Sequence, residues 1–282
     1  MVAPVIEGNY SPPPPSVTPK TAMTSSAMNC GGPVASIVLA RTRGSRIQIG
    51  TMFSNPWQWL WPLAFYLVGS IPTGYLLGRA KGLDIRQHGS GNIGATNVWR
   101  VMGWKWGLPA FILDLLKGFL PLFLLRTIAF PKTYLIGVTV NGVSRVMVSA
   151  AEVQWTVELL LVLCGIAAII GHNYTPWLGF KGGKGIATSA GVLAALMPPV
   201  LAVAFSLWAV LTLATRYVSV GSIAAALSLA PLAWFYYPGQ WILFGLACLA
   251  GVLAIYRHKS NIQRLLAGTE SRFEFGKKKG AS

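Results

Sequence analysis

The stretch IATSAGVLAALMPPVLAVAFSLWAVLTLA, residues 186–214, runs for 29 positions without a charged side chain and carries Pro198 and Pro199 at its centre. One bilayer crossing takes about 20 helical residues, so the run is too long for one span. Consecutive prolines remove backbone donors and kink or end a helix. The run is therefore read as two short membrane helices that meet near Pro198 and lean on their neighbours. Further apolar segments lie at 57–79, 107–128, 157–171, 218–236 and 240–256. Counting 186–214 once gives six crossings and puts the basic C-terminal segment opposite the basic loops near Gly89 and Lys181. Splitting it gives seven and returns the basic loops near Gly89 and Lys181, the Arg216–Ser219 junction and the basic C-terminal segment to one face. Basic loops favour the cytoplasm, which places the N-terminus outside. The expected fold is an all-α integral membrane protein with seven membrane helices, multi-pass in the cell inner (plasma) membrane.

Composition agrees with that fold class. The chain has 282 residues, 54% hydrophobic and 11% charged, against about 25% charged in soluble domains. Its net charge of +16 reflects seven acidic residues. Because the basic residues alternate with apolar spans and form no single stripe, they point to anionic lipid or substrate and to no nucleic-acid partner. Cys30, Cys164 and Cys248 stand far apart and suggest neither a disulfide framework nor a metal set.

Residues 1–51 differ from the rest, with the proline-rich SPPPPSVTPK at 11–20 and no helical period. They are expected to be a disordered leader. The apolar run Val34 to Ala40 is only seven residues long and its arginines follow it, which disfavours a targeting signal. Met52 opens MFSNPWQWLWPLAFYLVGS, a Trp-rich entry to a first membrane helix, and the natural protein is expected to begin near it. The membrane domain covers 52–275, and 276–282 form a basic tail. The outer connection from Arg126 to Trp155 has room for an amphipathic or re-entrant piece.

Three polar stretches carry the chemistry: GSGNIGATNVWR (89–100), FKGGKGIAT (180–188) and RHKSNIQRLL (257–266). In the first, Gly89, Gly91 and Gly94 space Ser90, Asn92 and Asn97. Backbone N–H groups of such a run can form an anion-binding concavity, and Arg100 adds a planar fork for phosphate. A plain turn is the competing reading. The second stretch lacks the full spacing of a nucleotide-binding loop; alone, it reads equally as a basic loop or as a site built on Lys181 and Lys184. In the third, Arg257, His258 and Asn261 lie within about one helical turn. Asp84 with Arg86, and Asp114 with Lys117, have the spacing of structural pairs. His172 has the place of a helix-end support, Glu270 that of a group orienting a base, and Ser219 suits a helix cap as well as a phosphate donor.

Together these residues resemble the bacterial acyl-phosphate:glycerol-3-phosphate acyltransferase family of the PlsY type. The resemblance runs in order through GSIPTGYLLGRAKGLDIRQHGSGNIGATNVWR (69–100), DLLKGFLP (114–121), Gly171 with His172, FKGGKGIAT, RYVSVGSI (216–223) and RHKSNIQRLLAGTE (257–270), covering Met52 to Phe275. It departs where family members place a proline two residues after Gly-His, since here the proline is Pro176, and in the longer 126–155 connection. The resemblance implies transfer of a fatty acyl group from acyl phosphate to the sn-1 hydroxyl of glycerol 3-phosphate, giving lysophosphatidic acid and phosphate. With no carboxylate cluster available for a divalent ion, no cofactor and no metal are expected. Ser90, Arg100, Lys181, His258 and Asn261 are the expected catalytic residues. Gly89, Gly91, Asn92, Asn97, Lys184, Ser219 and Arg257 would hold phosphate, supported by Asp84, His172 and Glu270. With no nucleophile elbow and no Cys–His pair, direct attack without an acyl-enzyme is expected, the proton going to His258 or to a substrate phosphate. Basic loops beside spans would also serve a transporter of phosphorylated metabolites, but no internal repeat or midplane ionisable pair of the transporter kind is evident.

Overall fold

Apolar runs of this length can cross a bilayer only as structures whose backbone groups are all satisfied internally. The computed structural model, which describes residues 56–129 and 151–273, answers that demand with helices. They are α1 (Trp61–Ser70), α2 (Thr73–Arg79), α3 (Ala95–Met102), α4 (Trp104–Leu124), α5 (Ala151–Asn173), α6 (Ile186–Leu196), α7 (Pro198–Thr215), α8 (Val218–Tyr236), α9 (Trp241–Arg257) and α10 (Lys259–Leu266). The leader 1–51, the tail 276–282 and positions 130–150 of the long connection lie outside the described residues.

Among the described residues, five helical stretches are long and apolar enough to cross a membrane: Trp57–Arg79, Trp104–Ile128, Val157–Leu178, Pro198–Thr215 and Val218–Tyr236. A sixth forms if Trp241–Arg257 and Lys259–Leu266, bent by 54° at their junction, count as one span. Ile186–Leu196 is a shorter apolar helix. The run 186–214 is thus divided at Met197, which adopts φ −138° and ψ 59° and hands the chain to Pro198 at the first turn of α7. There the missing N–H of proline costs no intrahelical bond.

Helix pairing rests on small residues. Helix α4 packs on α6, α1 on α5, α7 on α8, and α8 on α9. A methyl group added at Gly191 would sit 2.0 Å from the Leu115 carbonyl oxygen, and one at Gly118 would sit 2.3 Å from that of Thr188. Both helices of the α4–α6 pair therefore need glycine at the contact, because apolar helices in lipid associate through close backbone packing.

Where helices break, side chains take over the freed carbonyls. Between α1 and α2 at Ile71–Pro72, Lys117 Nζ donates to the Ile71 carbonyl at 2.9 Å and Thr175 Oγ1 to that of Ser70 at 2.7 Å. Lys117 also pairs with Asp114 at 2.9 Å, and Asp114 accepts a short hydrogen bond from Thr73 Oγ1. The i,i+3 pair legible in the sequence is thus buried and braces a broken span. At the end of α6, Arg126 donates to the Ala195 carbonyl at 2.6 Å.

Gly191→Ala is expected to lower the thermal unfolding temperature in detergent, at an overpacking cost of about 1–3 kcal/mol. Gly245→Ala, where nothing lies within 4 Å of the new methyl, is the control. Equal melting of both variants would remove the close approach as a determinant of the fold.

Candidate active site

The Gly89–Arg100 loop is held by one buried amide. Asn97 Oδ1 accepts the Ser90 N–H at 2.8 Å, while its Nδ2 donates to the carbonyls of Ile85, His88 and Asn92 at 3.2, 3.0 and 2.9 Å. Gly89 and Gly91 take positive φ of 61° and 71°, and a methyl at Gly89 would strike Asn97 Oδ1 at 2.3 Å. Part of the backbone expected to cradle an anion is engaged within the loop. The N–H groups of Ser90, Gly91 and Gly94 are all bonded within the loop, to Asn97 Oδ1, the His88 carbonyl and Asn92 Oδ1. Asn97 and the two glycines shape the loop, and Ser90, Asn92, Asn97 and Arg100 stand on the cavity wall.

The second loop is clamped onto the end of α5. Gly182 and Gly183 donate their N–H groups to the Asn173 and His172 carbonyls at 3.1 and 3.0 Å. Arg257 closes the other side, with Nε and a terminal nitrogen donating to the Gly183 carbonyl at 3.1 and 2.7 Å and the same nitrogen donating to that of Gly182 at 3.0 Å. The guanidinium also lies 5.1 Å from the Tyr174 ring centroid, a cation–π distance. Arg257, expected to hold phosphate, therefore holds the loop. The His172 ring lies so close to Gly183 that a methyl there would be 2.0 Å from its Nε2, a supporting role. Of the two lysines, Lys181 is exposed and lies off the cavity, whereas Lys184 lines it.

The third stretch meets these two at the α9–α10 bend. His258 caps both helices, and its Nδ1 stands 2.7 Å from the Ala254 carbonyl oxygen. A carbonyl only accepts, so Nδ1 carries a proton, and in the neutral ring Nε2 keeps its lone pair. One turn on, Asn261 accepts a short hydrogen bond from Lys184 Nζ and donates to Glu270 Oε1 at 2.6 Å. Ser219, in the first turn of α8, donates to the same oxygen at 2.9 Å, and Arg264 pairs with Oε2 at 2.7 Å. Arg264 was missed as a site residue in the sequence, although its i,i+3 relation to Asn261 places both on one face of α10. Asp84 forms a local bidentate pair with Arg86 and lies away from the cavity.

The cavity these groups line is amphiphilic, with a volume of about 180 Å3. Down α8 the wall passes from Ser219 through Ser222 to Ala225 and Leu229, and up α9 from His258 through Ala254 to Ala250. Spacings of three and four keep each series on one helix face. Burial brings the Lys184 ammonium down to about 8; Glu270 opposes the fall, and Arg264, Arg100 and Arg257 add to it. Burial would raise the Glu270 carboxyl, but donors Asn261, Arg264 and Ser219 outweigh it and hold it below the usual range.

An integral membrane protein with a multi-helix bundle, basic groups at one end of a cavity and an apolar limb at the other is the class these features define. Residues 59–268 match the family model described as glycerol-3-phosphate acyltransferase. A glycerol-3-phosphate acyltransferase of Desulforudis audaxviator is 45% identical over 215 residues, 75% of this chain and 93% of that protein. One from Aquifex aeolicus is 43% identical over 210 residues, 74% and 95% of the two chains. The crystal structure of PlsY, an integral membrane glycerol 3-phosphate acyltransferase, in its glycerol 3-phosphate form, is similar with a TM-score of 0.63 and 37% identity, over 77% of this chain and 96% of that one. The chain belongs to the glycerol-3-phosphate acyltransferase family.

Arg257→Lys keeps the charge but loses the planar fork. Hydrogen bonds to charged groups are worth about 1.5–3 kcal/mol, so amide hydrogen exchange at Gly182 to Lys184 is expected to quicken by roughly tenfold or more, read by mass spectrometry. Unchanged protection would show that the loop stands without its clamp.

Proposed function

We propose that the protein transfers a fatty acyl group from acyl phosphate to the sn-1 hydroxyl of glycerol 3-phosphate, giving lysophosphatidic acid and phosphate. The observation that carries this reading is the amphiphilic cavity itself, in which Ser90, Arg100, Lys184, Ser219, His258 and Asn261 share a space continuous with an apolar limb. An acyl phosphate has one charged end and one oily end, and both fit this wall. The seven-crossing arrangement, with α6 and α7 as two short crossings and the three polar stretches at the cytoplasmic face, belongs to the same proposal. It is supported by the break at Met197 and by the convergence of those stretches on one cavity.

In the proposed reaction the glycerol hydroxyl oxygen attacks the acyl carbonyl carbon, and the carbon–oxygen bond to phosphate then breaks. Acyl phosphate is already an activated anhydride, so alignment and charge compensation are the main demands. Arg100 and Lys184 supply positive charge where the leaving phosphate gathers negative charge. The hydroxyl proton passes to His258 Nε2 or to a phosphate oxygen, and His258→Ala separates these routes. If His258 is the base, turnover drops about 10²–10⁴-fold, the usual contribution of general base catalysis; if phosphate is, most turnover survives. Phe205 both lines the apolar limb and is 47% exposed on the outer surface, which gives the acyl chain a sideways route between helix and lipid.

Purified protein in detergent should convert acyl phosphate and labelled glycerol 3-phosphate to lysophosphatidic acid, and should not accept acyl-CoA or acyl carrier protein. Robust turnover with acyl-CoA alone would overturn the proposal.

Lys184→Ala should lower kcat/KM at least tenfold, consistent with a charge-assisted contact of about 1.5–3 kcal/mol, while exposed Lys181→Ala should cost less. A larger loss at Lys181 would reverse the assignment. The free enzyme should also lose kcat/KM as pH rises through about 8, because the cation that attracts phosphate is present below that value and neutral above it. Lys184→Arg stays charged and should move the alkaline limb upward; an unmoved limb would assign it to another group.

A further inference from the structure

The segment after α10 does more than end the chain. Phe273 N–H donates to the Arg216 carbonyl at 2.6 Å, the Phe273 ring packs 5.4 Å from that of Trp99, and Arg272 Nε donates to Tyr217 Oη at 3.2 Å. Residues 269–273 thus run from α10 across the α7–α8 junction to α3, with Glu270 and Ser271 on the cavity wall. Arg216 receives this contact in the left-handed conformation, φ 64°, which L residues with a side chain seldom adopt.

Glu270 places its carboxylate among a hydroxyl, an amide and a guanidinium, from Ser219, Asn261 and Arg264. That is the donor set a phosphate needs. Lys184 joins it through Asn261, and Arg100 lines the same cavity without an ion pair among the described residues. A carboxylate and a phosphate cannot share those donors, since like charges at contact distance repel. We propose that residues 269–273 are a strap that seats Glu270 where a substrate phosphate binds, and that the phosphate must eject it to enter.

The proposal rests on the phosphate reading of the cavity and adds a specificity device to it. Neutral glycerol brings no charge to compete with Glu270 and leaves the strap seated. A phosphate monoester brings up to two negative charges and three acceptor oxygens, and takes the site. Departure of lysophosphatidic acid, which carries that phosphate away, lets Glu270 return.

Inorganic phosphate is the probe. Glu270→Gln keeps the shape and loses the competing charge, so the Kd for phosphate, measured calorimetrically on the full chain in detergent, should fall at least fivefold, with a matching fall in KM for glycerol 3-phosphate. Phe273→Ala keeps Glu270 but loosens the strap's anchor on Trp99, and should shift Kd in the same direction. A nitroxide on Ser271→Cys, in a background lacking the native cysteines, should gain mobility when phosphate is added and stay immobile with glycerol. A rise of both Kd and KM in Glu270→Gln would overturn the strap and make Glu270 a positioning residue for Asn261 and Ser219. A label that does not respond to saturating phosphate would overturn it as well. If phosphate frees the label in a protein that makes no lysophosphatidic acid, the strap stands and the proposed reaction falls; acyl transfer with an unmoved label gives the opposite outcome.

Discussion

Every backbone carbonyl that a broken helix exposes in an apolar medium must find a donor, and the rest of this structure follows from how that need is met. The chain breaks its helices at Ile71–Pro72, at Met197 and in the glycine loop after α5. Lys117 answers the first, Arg126 the second and Arg257 the third. Three cations that look available to ligands are thereby committed to main chain. The cations that face the cavity are others: Arg100, Lys184 and Arg264.

The commitment explains how a rigid site is built from loops. A glycine loop is flexible by composition, yet this one is held through its carbonyls by Arg257 and through its N–H groups by the end of α5, so Lys184 starts from a fixed main chain. The Gly89 loop reaches the same end by another route, with Asn97 satisfying one donor and three acceptors at its centre. In both loops glycine permits close approach and a polar side chain prevents collapse. The ligand-facing groups then owe their positions to residues that need not touch a ligand.

Much of this was legible in the sequence. Apolar length and the two prolines located the division of 186–214, and the three polar stretches do converge, bringing Ser90, Arg100, Lys184, His258 and Asn261 to one cavity beside Ser219 of α8. Less legible was the division of labour within each stretch. Whether Arg257 bonds a carbonyl or a phosphate depends on where the loop after α5 folds back, which no local pattern encodes. Lys181 and Lys184 sit in one short loop, whose course includes left-handed residues at Gly179, Phe180 and Gly185 that local sequence does not announce. Asn97 could be known as a scaffold only once Ile85 and His88 were seen beside it. Arg264 had a usable signal, the helical face it shares with Asn261, but its partner Glu270 lies beyond the end of α10.

The charge pattern of the cavity bears on how an activated donor could be handled. Asp114 is compensated by Lys117, and Glu270 by Arg264 and the Ser219 and Asn261 dipoles, so the resting site has its anions paired. What it holds in reserve is positive: Arg100, and a Lys184 whose ammonium is already weakened by burial among other cations. Such a group gains most from an arriving dianion, because the anion offsets both its lost hydration and its like-charged neighbours. On the proposed reaction, the charge that builds on the leaving phosphate would meet a field set before the substrate arrived. That arrangement suits a reaction that needs no covalent help from the protein and mainly needs water kept out and charge kept balanced.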